Sequence, residues 1–230
     1  MPGVIVPAAF PPDQAALREQ MVGTARRMNA AGINQGTSGN LSCRIAGGLL
    51  ITPTSLCYEQ MEPHDLVAID GDGEPLILGS RGPSSEWRLH ADILRRRPDV
   101  GAVVHCHSIH ATALACQSRA IPSFHYMVAV AGGIDIRCAP YALFGTQALS
   151  DLALEALEGR QAALLAQHGQ VALGGSLDQA LRLAIEVETL AAMYLKALPL
   201  GEPPRLSAAQ MAQVQQQMVD LLYGGRASPL

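Results

Sequence analysis

Two short apolar runs in this chain each lead into histidine, and they constrain its fold more than any other feature. Gly101-Ala-Val-Val104 is followed by His105-Cys-His107, and Ala162-Ala-Leu-Leu-Ala-Gln167 by His168. In an extended strand, residues i and i+2 point the same way. His105 and His107 at a strand end therefore aim two imidazoles at one point. His168, from a second strand end, would complete a three-nitrogen face. Three protein ligands with an exchangeable fourth position is the layout of a catalytic zinc, not a structural one. One such histidine alone reads as a hydrogen-bonded core residue; three, each following an apolar run, weaken that reading. Gly169 weakens it further by allowing close backbone approach beside His168. Cys106 should face the opposite side of the strand and reads as a buried small hydrophobe. His110 lies beyond the strand and reads as a pocket residue rather than a ligand.

The remaining pattern is that of a layered α/β chain. Helical spacing of Leu17, Met21, Ala25 and Met28 predicts a helix over 12–31, closed by Gly32. Short strands are expected at 41–45, 48–52 and 66–70. Gly71-Asp72-Gly73 is a hairpin-type turn leading to a further strand at 75–78. A helix over 84–97 stops before Pro98. Strand 101–105, a helix over 111–117, strands near 124–130 and 135–138 and a helix over 146–158 follow. Strands 162–167 and 170–173 lead to a long helix opened by Ser176-Leu-Asp-Gln179, a capping-box pattern. A proline-rich loop from Pro199 then leads to a last helix at 207–222.

With 230 residues and no linker or repeat, the chain is expected to form one domain. Its net charge of −4, with only Arg95-Arg96-Arg97 as a basic run, argues against a nucleic-acid partner. No apolar stretch reaches membrane-spanning length, so no membrane partner is expected. Met1–Pro12 has no basic segment or long apolar core, which argues against a signal peptide. The five cysteines are odd in number and form no C-x-x-C pair, which reads as reduced thiols in a cytoplasm.

A metal site of this kind calls for a carboxylate, as a fourth ligand or as a base. Glu86 is the candidate, following Ser84-Ser85 at a helix start, with His90 one turn further on the same face. An acid that merely complements the helix dipole is an equally good reading of that position. Three loops of small donors, Gly36-Thr-Ser-Gly-Asn40, Thr52-Pro-Thr-Ser55 and Pro83-Ser-Ser85, could together bind a phosphate without lysine. Sequence spacing does not show that they converge.

At these residues the chain resembles the class II aldolase/ribulose-phosphate 4-epimerase family, and within it most closely the L-fuculose-1-phosphate aldolases. The resemblance is carried by Gly32–Asn40, Leu50–Thr54, Pro83–Arg88, Val103–His110 and His125–Met127. It continues through Ala131–Gly133, Ala139–Thr146 and Gln167–Gly169, in the family's order up to about residue 196. It implies a single-domain, three-layer α/β/α fold around a central, largely antiparallel sheet. It also implies a four-fold homotetramer with active sites between subunits. Zn2+ would be held by His105, His107, His168 and, in the resting state, Glu86, which then serves as acid and base. A sugar phosphate would be bound through Gly39, Asn40, Thr54, Ser55, Ser84 and Ser85. Tyr126 matches a proton donor that reaches the neighbouring subunit's site, and Tyr223, in the 199–230 tail, a residue that closes the site.

The reaction implied is reversible cleavage of a ketose 1-phosphate to dihydroxyacetone phosphate and an aldehyde. The ketose would be L-fuculose 1-phosphate or a related 5-deoxy or 5-methylthio pentulose 1-phosphate. A pentulose-phosphate 4-epimerase, a methylthioribulose-1-phosphate dehydratase and a non-catalytic adducin-like module are the alternatives. Two positions and one stretch depart from the close relative: Ser55 stands for Gly, Ser38 for Ala, and Val219–Leu222 lacks the aromatic and basic pattern before the tail tyrosine.

Overall fold

The computed structural model describes residues 12–77 and 81–224. Seven strands form one sheet: β1 (Asn40–Ile45), β2 (Gly48–Ile51), β3 (Val67–Ile69), β4 (Ala102–Cys106), β5 (Arg137–Ala139), β6 (Ala162–Leu165) and β7 (Gly169–Gly174). Their order is β3-β2-β1-β4-β7-β6-β5. Every pairing is antiparallel except β5 with β6. Six helices cover the sheet: α1 (Pro12–Ala30), α2 (Trp87–Arg96), α3 (Ile109–Cys116), α4 (Gln147–Ala156), α5 (Leu177–Ala197) and α6 (Ala208–Gly224).

Strand alternation makes the layers. In β4, Ala102, Val104 and Cys106 enter one apolar core with Met21 and Met28 of α1, Leu114 of α3 and Leu181 of α5. Val103 enters a second core with Leu89 and Ile93 of α2 and Leu149 of α4. The sheet is therefore sandwiched between helices on both faces, in three layers. Its central strands are apolar on both faces because neither face meets water.

Antiparallel pairing gathers the chemistry at one end of the sheet. Asn40 at the start of β1 lies opposite His105, and Cys106 at the end of β4 lies opposite Gln170 at the start of β7. The β6–β7 turn, which carries His168, is thereby brought beside the end of β4. Adding a Cβ to Gly169 would place it 2.6 Å from the Cys106 carbonyl and 2.8 Å from His107 Cδ2, so glycine is required for that approach.

Three elements differ from the sequence expectation. Residues 124–130 do not form a strand: Tyr126–Ala131 is a 3-10 helix, with His125 Nδ1 accepting from the Met127 N–H at 3.2 Å. A short apolar run has no periodicity that separates the two states. No strand forms over 75–77, where an isolated bridge joins Ile69 to Pro75. Proline lacks the N–H that a ladder needs, and residue 78 lies outside the described residues. The turn before it forms as expected, with Asp70 Oδ1 accepting from the Asp72 and Glu74 N–H groups. Finally, α2 begins at Trp87 rather than at 84: an antiparallel bridge between Pro53 and Pro83, with the Ser84 N–H donating to the Thr52 carbonyl at 3.0 Å, holds this stretch against the 52–53 segment instead. The two serines thus stand ahead of the helix, and Glu86 is its N-cap residue.

Candidate metal centre

His105 is completely buried and donates from Nδ1 to the Gln170 carbonyl at 2.8 Å. That bond fixes the ring and leaves Nε2 for the site, the usual way a backbone carbonyl orients a metal-binding imidazole. His105 Nε2 lies 3.1 Å from His107 Nε2. The three rings of His105, His107 and His168 meet edge to face, with centroids 4.8–5.0 Å apart, and one ligand atom from each lies within 4.8 Å of the others. His168 reaches this point from the β6–β7 turn, where Gln167 adopts φ +52°, a left-handed conformation uncommon for a side chain of that kind.

Glu86 closes the fourth side. Its Oε2 is 3.2 Å from His105 Nε2 and its Oε1 is 3.2 Å from His168 Nε2. Burial pushes this carboxyl up, but the charges of His105 and His168 and hydrogen bonds from His105 and Asn40 more than reverse that. The group is held well below the ordinary carboxylate range. Burial and the charge of His105 push His107 down to about 3 and His168 to about 4. Both rings are neutral near pH 7 and can offer lone pairs. His105 is desolvated too, yet the Glu86 charge raises it.

The donor set fits a divalent metal. Two imidazole nitrogens face each other at 3.1 Å. Glu86 Oε1 is buried with no hydrogen-bond partner among the described residues. A buried carboxylate oxygen left in this way is costly unless a cation meets it. Three imidazoles and one carboxylate are a donor set that suits zinc.

Glu86, His107 and His168 of this cluster line a cavity of about 380 Å³. Gly39, Asn40, Thr54, Ser55, Ser84 and Ser85 all line it with Glu86, His107 and His168, so the three hydroxyl loops do converge. No Lys or Arg is among the described lining residues. Two of these groups are engaged within the protein. Gly39 donates its N–H to Asn34 Oδ1 at 3.0 Å, and Asn40 Nδ2 donates to Glu86 Oε2 at 2.9 Å. Thr54 and Ser55 are exposed, with their hydroxyls 3.3 Å apart. Ser55 adopts φ +56°, which explains why glycine suits this position in the close relative.

A family model described as the class II aldolase and adducin N-terminal domain matches residues 19–195. The chain belongs to this family. A 5-methylthioribulose-1-phosphate/5-deoxyribulose-1-phosphate aldolase of Rhodospirillum rubrum is 53% identical over 205 residues, covering 89% of this chain and 92% of the relative. The L-fuculose phosphate aldolase of Escherichia coli K12 is 47% identical over 199 residues, covering 86% and 92%. A solved L-fuculose 1-phosphate aldolase superposes with a TM-score of 0.86 at 35% identity, covering 89% of this chain and 97% of that one. The chain is a class II aldolase.

Other expected site residues of this aldolase stand apart. Tyr126 is 51% exposed, stacks against His125 at 4.8 Å and does not line the cavity of its own chain. Tyr223 ends α6, but its side chain lies outside the described residues. His110 is no part of the metal cluster: its Nδ1 and N–H meet Glu188 Oε1 at 2.7 and 2.9 Å. Cys106 faces the apolar core away from the histidines, where burial pushes its thiol up to about 12. Sequence reading missed Tyr141 and Phe144 on the cavity wall, and also the partners of His90. Its ring lies between Asn40 and Ser42 rather than against Glu86. The i, i+2 spacing of Asn40 and Ser42 in β1 was the available signal. No helix is long and apolar enough to cross a membrane among the described residues.

Proposed function

We propose that this aldolase reversibly cleaves a ketose 1-phosphate to dihydroxyacetone phosphate and an aldehyde. The observation that carries the reading is one cavity lined both by Glu86, His107 and His168 of the histidine cluster and by a lysine-free set of hydroxyls and amides. Zn2+ is the cation that this donor set suits best, with Glu86 as its displaceable fourth ligand. When bound, it supplies Lewis-acid polarisation of the substrate's ketone oxygen and neighbouring hydroxyl.

The protein's own groups do the rest. Thr54, Ser55, Ser84 and Ser85, with Gly39 and Asn40 beside them on the cavity wall, hold the phosphate and anchor the substrate away from the breaking bond. Cleavage removes the C4 hydroxyl proton and breaks the C3–C4 bond. Tyr126 of a neighbouring subunit is the group assigned to that proton, within a four-fold homotetramer. Glu86 then protonates the carbanionic carbon and releases dihydroxyacetone phosphate. In synthesis Glu86 removes that proton, and Tyr126 protonates the aldehyde oxygen. The 199–230 tail, through Tyr223, closes over the aldehyde end.

Leu221 and Leu222 before Tyr223, together with the relative named for 5-methylthio and 5-deoxy sugars, support an apolar 5-substituent on the ketose. L-Fuculose 1-phosphate is the second candidate, supported by the relatives named for it. Cleavage assays with fuculose, ribulose, 5-deoxyribulose and 5-methylthioribulose 1-phosphates decide between them. The expected result is triose phosphate release, fastest with the last two. Epimer formation or loss of water in place of triose phosphate would overturn the reading.

A further inference from the structure

A buried chain of side chains runs from the second layer of the fold to Glu86. Ser42 Oγ lies 2.7 Å from His90 Nδ1, His90 Nε2 2.5 Å from Asn40 Oδ1, and Asn40 Nδ2 2.9 Å from Glu86 Oε2. Ser42 and His90 are completely buried, Asn40 is 4% exposed and Glu86 5%. Ser42 and Asn40 share one face of β1, and His90 reaches them from one turn into α2.

The direction of every bond in this chain is determined. A carboxylate only accepts, so Asn40 must present its amide N–H to Glu86. Its carbonyl then faces His90, which must donate from Nε2. The neutral ring's Nδ1 becomes an acceptor, and the Ser42 hydroxyl donates to it. Reversing the Asn40 amide would turn its carbonyl towards a buried carboxylate, and reversing the Ser42 bond would require a charged imidazolium in a completely buried site. Glu86 Oε2 is thereby tied down, while Oε1 is left without a hydrogen-bond partner.

We propose that His90 is a positioning residue: through Asn40 it fixes the rotamer of Glu86 that meets the metal and leaves Oε1 as the proton-transfer oxygen. The proposal deepens the reading of Glu86 given above and rests on it. It assigns Asn40 a side-chain duty towards Glu86 as well as a place on the cavity wall. Groups that orient metal ligands in this way typically change metal affinity or activity by about 10–100-fold when lost.

The test compares H90L, which keeps bulk and removes the relay, with H90Q, which can restore a donor to Asn40 and an acceptor for Ser42. Two quantities are read: Zn2+ affinity by chelator competition, and solvent exchange of the carbon-bound proton of dihydroxyacetone phosphate. H90L is expected to weaken Zn2+ and slow exchange by about 10–100-fold each, with the KM for the ketose phosphate within about twofold. H90Q is expected to recover most of both. The double variant E86Q/H90L should bind Zn2+ no more weakly than E86Q, because His90 acts only through Glu86. Wild-type affinity and exchange in a folded H90L overturn the proposal, as do equal losses in H90L and H90Q or additive losses in the double variant. Should H90L not fold, S42A carries the test, since it frees the ring's tautomer and should cost several-fold in both readouts; an unchanged S42A overturns the proposal. If the wild-type enzyme exchanges no proton, the aldolase role of Glu86 fails, and the Zn2+ affinities alone still decide whether His90 positions it.

Discussion

At the metal end of the cavity, His105 and Glu86 are buried and each is held by a partner of its own, the Gln170 carbonyl and the Asn40 amide. At the hydroxyl end, Thr54 and Ser55 are exposed loop residues whose hydroxyls meet each other, one of them in a left-handed backbone conformation. The difference follows from what each end must do. Under the proposed function, groups that exchange protons and hold a cation would lose rate with small displacements, which fits their place at sheet and helix ends. Neutral donors that grip a phosphate share the task over several loops, and each contributes modestly.

The sharpest break in this comparison is expected at Glu86. E86Q removes the proton-transfer group while three histidines remain, so kcat should fall about 10²–10⁴-fold with the fold intact. Steady-state rates with metal analysis measure it. Metal retention with activity within tenfold of wild type would remove Glu86 from its role.

Protons should distinguish the ends next. In metal-free protein His90 and His107 are pushed down to about 3 and His168 to about 4, against an ordinary 6.5. For all three, burial is the largest cause. The unfolded chain binds these protons first, so stability falls as pH drops from about 6.5 towards 3–4. Glu86, held below its ordinary 4.5, adds a loss of the same sign at lower pH. His105 is raised, so its contribution is fully present below about 6.5 and opposes the others. The net expectation is a lower urea midpoint at pH 5 than at pH 7, with a shallower dependence in H90Q and an unchanged one in T54A. A higher midpoint at pH 5 would contradict the picture of buried neutral rings.

T54A tests the hydroxyl end. Losing one neutral hydrogen bond costs about 1 kcal/mol, so the KM for the ketose phosphate should rise roughly 5-fold with kcat nearly unchanged. A fall in kcat with constant KM would place Thr54 in the chemistry instead. The smallest effect is expected for S55G. Relief of the left-handed strain, about 1 kcal/mol, is partly offset by glycine's larger unfolded-state entropy. Thermal unfolding should show neutral to slight stabilisation; a clear loss would give the Ser55 hydroxyl a structural duty.

Much of this was legible in the residues before any coordinates. His105 and His107 were readable as a pair because strand geometry repeats every two residues and their strand is apolar throughout. Helix α5 was readable from Ser176, whose hydroxyl does accept from the Gln179 N–H at 3.4 Å. The segment at 124–130 was not, because a short apolar run suits a strand and a 3-10 turn equally. The start of α2 lies three residues beyond the expected one because a non-local bridge, Pro53 to Pro83, ties residues 83–84 to a distant segment.

The sequence by itself therefore determined which residues could bind a cation and which strand end carries His105 and His107. Local periodicity and backbone sterics are properties of neighbouring residues, and they need no fold to be read. Only the tertiary structure decided that three hydroxyl loops close on one cavity and that His90 reaches Glu86 through Asn40. It also decided which Glu86 oxygen the Asn40 amide ties down. Those facts depend on antiparallel pairing of β1, β4 and β7 and on α2 packing across them, contacts between residues some fifty positions apart. Strand register decides them, and local spacing carries no record of it.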